Sequence, residues 1–90
     1  MTVYQITYTL NSPGQDYEQL YDAIEALGDS VHPLDDCWFV ETTESADDIR
    51  DTLSENTDSN DSIIVTKKSE SGVTWATSNA SDAGEWLSNH

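Results

Sequence analysis

Cationic side chains are nearly missing from this sequence. Ninety residues hold three Lys and Arg together, against 18 Asp and Glu, for a formal net charge of -15. Affinity for nucleic acid depends on cations that displace counterions from phosphate, so direct nucleic-acid binding is not expected. Cysteine is scarce too. Cys37 stands alone, which excludes an internal disulfide. It lies beside Trp38 in an apolar run, where a free thiol reads as a small buried hydrophobe rather than a reactive group. No apolar stretch is long enough to span a membrane and none reads as a signal peptide, so a cytoplasmic protein without membrane contact is expected. Internal repeats and low-complexity linkers are also missing.

What is there is acid. Nine Asp and Glu fall in residues 1–45 with no Lys or Arg, and nine fall in residues 46–90 against Arg50, Lys67 and Lys68. Such a surface serves solubility, fits adaptation to high salt where self-repulsion is screened, or mimics nucleic acid. Hydrophobic content is 36%, yet three Trp and four Tyr supply large buried areas per residue. The length is that of a single domain, residues 1–90, with residues 68–90 as a C-terminal extension. Its core is thin enough that oligomerisation is a natural way to bury more surface.

The patterning sets the fold class. Tyr4, Ile6, Tyr8 and Leu10 alternate with polar residues and predict a first strand. Ser12 and Gln15 have capping-box spacing, and Pro13 suits a first helical position. Tyr17, Leu20, Tyr21, Ile24 and Leu27 then recur at helical spacing up to Gly28. Residues 30–34 and 37–43 read as two short strands joined by a turn at Asp35-Asp36. Ser45, with Asp48 three residues on, caps a second helix whose inner face is Ala46, Ile49 and Leu53. Ile63, Ile64 and Val65 form a fourth strand, apolar on both faces like Cys37 to Val40. Val73 and Trp75 suggest a short extra strand. Residues 79–88 suggest a last helix with Ala83, Trp86 and Leu87 inward. The order is that of an α+β, ferredoxin-like βαββαβ sandwich with a C-terminal strand and helix tail. Two helices cover one face of the sheet, and the other is left for a second copy in a homodimer.

Candidate chemistry is thin. His32 has a pKa suited to acid–base work, but no partner group follows from the sequence, and a hydrogen-bonded structural His is the simpler reading. His90 is expected to fray. Asp35 and Asp36, adjacent on an extended segment, suit a turn better than a cation site. Asp47, Asp48 and Asp51 favour the dipole of the helix start. Asp58-Ser59-Asn60-Asp61 lacks the terminal Glu of a calcium loop. Ser12, Gly14 and Gln15 lie at a predicted helix N-terminus, where capping accounts for Ser12. The Tyr and Trp residues have core spacing rather than the look of base-stacking platforms. No catalytic, cofactor or metal residue is assigned.

Residues 4–43 do carry a resemblance. Tyr8, Leu10, Asn11, Pro13, Gly14, Asp16, Tyr17, Leu20, Gly28, His32, Leu34 and Trp38 match the pattern of SinR-like small proteins. That family resembles, and is grouped with, CRISPR-associated adaptation endonucleases and virulence-associated protein D. The resemblance implies a ferredoxin-like homodimer. It also implies, for the nucleases, an Asp at the end of the first strand that holds a metal such as magnesium with its partner's copy. Here that position is Thr9, and a neutral hydroxyl does not replace a carboxylate pair. The expectation is a non-catalytic homodimer acting through contacts with an unidentified protein. The alternatives are a divalent-metal-dependent nuclease or endoribonuclease, and an acidic inhibitor that occupies a partner's nucleic-acid channel.

Overall fold

The computed structural model describes residues 2–10, 17–57, 61–68 and 81–90. Its elements are β1 (Thr2–Thr9), α1 (Glu18–Leu27), β2 (Asp29–Leu34), β3 (Cys37–Thr42), α2 (Ala46–Ser54), β4 (Ser62–Lys67) and α3 (Ser81–Ser88). The four strands form one sheet in the order β2-β3-β1-β4. Every neighbouring pair is antiparallel. β1 and β2 are therefore parallel with β3 inserted between them, and β3 and β4 are parallel with β1 between. The architecture is mixed α+β, an antiparallel sheet with helices packed on it.

Alternation along β1 decides where the core lies. Tyr4, Ile6 and Tyr8 point to one face, opposite Val40 and Trp38 of β3 and Val65 and Ile63 of β4. Leu20 and Ile24 of α1 and Ile49 and Leu53 of α2 complete this buried cluster. The helices lie on the same face because each presents one apolar stripe at helical spacing. Full burial of each of these aliphatic side chains stabilises the fold by about 1.5–3 kcal/mol.

The element ends follow local chemistry. Ser45 caps α2 as its sequence predicts, its Oγ accepting from the Asp48 N–H at 3.2 Å. α1 differs from expectation. It begins at Glu18 with Tyr17 in the N-cap position and no side-chain cap. Ser12 to Asp16 lie outside the described residues. Gly28 ends α1, and a Cβ there would drive into the backbone carbonyl of Glu41. No larger residue fits between the helix end and β3. Pro33 in edge strand β2 has no N–H for the ladder, and the register shifts between Val31 and Leu34.

The second face of the sheet corrects one expectation. It is not left open, because α3 packs against β2 and buries Ala83 and Leu87, while Trp86 stacks on Phe39 with ring centroids 6.3 Å apart. Phe39 points away from the α1 and α2 side, since its neighbours Trp38 and Val40 point toward it. The apolar residues on both sides of β3 are thus partly met by the chain itself. β4 is apolar on both faces, as its sequence suggests, and within one chain Ile64 on the second face is 65% exposed. Only Ile63 and Val65 meet the core. The strand expected at Val73 and Trp75 lies outside the described residues. The ladder runs one residue past β4, with the Lys68 N–H donating to the Val3 carbonyl at 2.8 Å. Among the described residues, no helix is long and apolar enough to cross a membrane.

Candidate functional site

Tyr8, His32 and Trp38 come together at the C-terminal end of β1. Tyr8 is buried there, and its hydroxyl is a hub. It donates to the Asp35 carbonyl at 2.9 Å and accepts from Trp38 Nε1 at 3.0 Å. The Tyr8 N–H donates to the Asp36 carbonyl at 3.1 Å. Three bonds thus tie the β2–β3 turn and the β3 indole to one residue of β1. Burial pushes the Tyr8 phenol well above its ordinary range, against the opposing Trp38 hydrogen bond, with Tyr21 and the Asp36 charge adding to the rise. Tyr8 therefore stays protonated and is a poor base.

His32 sits over this hub. Its ring stacks on Trp38 at 4.1 Å between centroids and tilts against Tyr21 at 5.2 Å. Its Nε2 is 3.3 Å from the Asp35 carbonyl and 3.5 Å from the Tyr8 hydroxyl. A carbonyl only accepts and the Tyr8 proton is already donated, so Nε2 carries the hydrogen. Among the described residues no carboxylate bonds to this ring. His32 is exposed, and it is hydrogen-bonded and stacked where the sequence alone offered it no partner. The stacked rings close the end of the core where the shifted β2 register brings His32 over β3.

Beside the cluster is an open cleft of about 720 Å³ lined by Tyr8, Thr9, Leu10, Tyr21, Leu34, Asp35 and Asp36. Asp35 and Asp36 form the predicted turn. Thr9 ends β1 and is exposed, and the residue paired with it on β4 is Ser62. The first-strand position is therefore a hydroxyl beside a hydroxyl, with two carboxylate-bearing residues on the opposite rim. Among the described residues no group of three or more His, Cys, Asp and Glu side chains converges as a metal site.

The other candidates are dispersed. Cys37 is buried on the second face and its sulfur accepts from Gln5 Nε2 at 3.5 Å. Asp47 and Asp51 flank Arg50 on exposed α2, with N–O separations of 3.7 and 3.1 Å. Asp58 to Asn60 lie outside the described residues, and Asp61 Oδ1 accepts from the Tyr17 hydroxyl at 3.2 Å. Gly14 and Gln15 also lie outside.

His90 corrects the expectation of a frayed end. Its Nε2 is 2.7 Å from Asp29 Oδ2 and its Nδ1 is 2.7 Å from the Trp86 carbonyl. The ring stacks on Trp86 at 3.8 Å, and Trp86 Nε1 donates to Asp29 Oδ1 at 3.3 Å. The signal was present in the sequence. Trp86 and His90 are four residues apart, the spacing that puts two side chains on one helix face.

Comparison of the chain with family models, with curated proteins and with solved structures finds no match in any of the three.

Proposed function

We propose that this chain is a non-catalytic homodimeric protein of ferredoxin-like fold that acts through protein contacts. We further propose that it is a divergent relative of the SinR-like group. The strand order β2-β3-β1-β4, with two interleaved parallel pairs, supports the fold reading. The observation that carries the functional reading is Thr9. It occupies the end of the first strand, where the resemblance implies a metal-holding carboxylate, and its cross-strand neighbour Ser62 is also a neutral hydroxyl. Hard divalent cations take carboxylate oxygens, and two hydroxyls supply no charge to offset desolvation of the ion. The net charge of -15 adds repulsion toward phosphate.

The exposed Ile64 on edge strand β4 supports self-association on the half of the second face away from α3. Repulsion between two copies of so acidic a chain weakens with salt. The dimer should therefore strengthen as KCl rises. Light scattering coupled to size exclusion tests this. A dimer that Ile64→Asp converts to monomer is the expected result, and monomer at both low and high KCl overturns it.

A second reading is favoured by one feature, the placement of Asp35 and Asp36 on the rim of the cleft that Thr9 lines. It is a divalent-metal-dependent nuclease. Incubation with RNA and DNA in the presence of magnesium or manganese separates the two. Intact substrate is expected, and cleavage abolished by a chelator would establish the nuclease instead.

A further inference from the structure

The contacts of His90 differ in kind from those of any other side chain described. Both ring nitrogens face groups that only accept, the Asp29 carboxylate through Nε2 and the Trp86 carbonyl through Nδ1, each at 2.7 Å. A neutral imidazole carries one N–H and can satisfy one of them. Its other nitrogen would then set a lone pair against an oxygen lone pair at hydrogen-bond distance. Only the imidazolium, with two N–H groups, fits both partners.

We propose that α3 is a proton-dependent cover on the second face of the sheet, held closed by the His90 imidazolium between Asp29 and the end of the helix. The remaining geometry is built around that cation. Asp29 is spanned on its other oxygen by Trp86 Nε1, so one carboxylate clamps two residues of the α3 segment. Trp86 lies flat against the imidazolium and, on β3, against Phe39. The positive ring also sits at the C-terminal end of α3, where the helix dipole favours cations and where the last turn of the helix has no Lys or Arg.

The charges around the ring favour its protonated form. β2 contributes Asp29 and β3 contributes Glu41, which is paired in register with Asp29 and leaves two like charges side by side. Lys68, following β4, donates to the His90 carbonyl at 3.3 Å and is the one nearby cation among the described residues. On the same face β1 offers Val3, Gln5 and Thr7, none of which titrates. α3 itself carries Asp82 and Glu85, both exposed. Burial works against the charged ring, yet the Trp86 carbonyl and the bond and charge of Asp29, with Glu41, outweigh it and hold His90 above the ordinary imidazole value. The hydrogen bonds from His90 and Trp86 hold the Asp29 carboxyl below its ordinary value.

The direction of the pH effect follows. A raised His90 gives a contribution that is full below the ordinary imidazole value and disappears as pH rises through the higher folded value. A lowered Asp29 gives one that is full above the ordinary carboxylate range and disappears as pH falls through its folded value. The cover is closed between these two limits and opens on the alkaline side, freeing the face of Phe39.

The test uses the full chain and two readouts. Ring ¹⁵N shifts report whether His90 is doubly protonated, and amide exchange gives protection factors for α3 with α2 as internal reference. Measurements run from about pH 5.5 to about pH 8.5, on both sides of the ordinary imidazole value. The expected result is a doubly protonated ring at neutral pH, with α3 protection falling by up to about tenfold per pH unit between the ordinary imidazole value and the pH at which the closed ring loses its proton, then levelling off, while α2 holds. His90→Gln should show low α3 protection that does not vary with pH. A ring already neutral at pH 7, or α3 protection that tracks α2 throughout, overturns the proposal. The wild-type ring shifts decide even if the variant does not fold.

Discussion

On the face beneath α1 and α2, Ile6, Leu20, Ile24, Val40, Ile49 and Leu53 are wholly buried, and the polar atoms of its aromatic residues are hydrogen-bonded, Trp38 Nε1 to Tyr8 Oη and Tyr4 Oη to the Glu44 carbonyl. On the second face, the contacts are one indole on one phenyl ring, the buried side chains of Val3, Cys37, Ala83 and Leu87, and a carboxylate clamp at the edge. The first is held by apolar area, which has no preferred direction and little dependence on pH. The second is held by a few directional and titratable contacts. One sheet thus separates a region that should unfold only with the whole domain from one that should detach by itself.

Variants can break this contrast, and the largest effect belongs to the first face. Leu53→Ala empties a fully buried site and should cost about 3 kcal/mol, read as a lower urea midpoint with all probes moving together. Gly28→Ala forces a methyl group into the Glu41 carbonyl and should cost about 2 kcal/mol in the same experiment. Trp86→Ala should give the opposite pattern. Amide exchange in α3 rises to near the unprotected rate, while the urea midpoint moves by less than about 1 kcal/mol equivalent. If Trp86→Ala lowers the midpoint as much as Leu53→Ala does, the two faces form one cooperative unit and the contrast fails. Ser45→Ala removes the α2 cap and should cost about 1 kcal/mol. Arg50→Gln breaks only exposed pairs on α2 and should change stability by less than about 0.5 kcal/mol. A larger loss would mean that the single arginine matters to the acidic surface as a whole.

The same contrast explains what was legible in the sequence. β1, α1 and α2 were readable because each has one apolar face of regular period, and the Ser45 cap because its partner is three residues away. The Asp35-Asp36 turn was readable from composition. Coverage of the second face was not. Phe39 and Ile64 are both apolar residues on that face, yet one lies under Trp86 and the other is exposed, a difference set by where a distant helix lands. The site divides in the same way. The chemistry of His32 is visible in the sequence, but its stacking on Trp38 depends on a register shift in an edge strand. His90 at the end of the sequence reads as frayed by a local criterion, whereas its anchor, Asp29, lies 61 residues away at the start of β2. Tyr8 reads as an alternating strand residue, and nothing local marks it as the bond hub of the β2–β3 turn.

The position of β1 has a consequence for how the chain is made. It is the first of the four strands in chain order, yet it lies inside the sheet, with Thr2 paired to Thr42 and Tyr4 to Lys67. Neither edge of β1 finds a neighbour until β3 emerges, and the second edge waits for β4. Contacts of such high sequence separation slow folding, because loop closure precedes the gain from pairing. During that interval a segment carrying Val3, Tyr4, Ile6 and Tyr8 is an unpaired template for other nascent copies. Uncompensated acids accompany it from Asp16 onward and keep such copies apart by repulsion. The surplus of negative charge therefore protects the chain most before it has a surface to speak of.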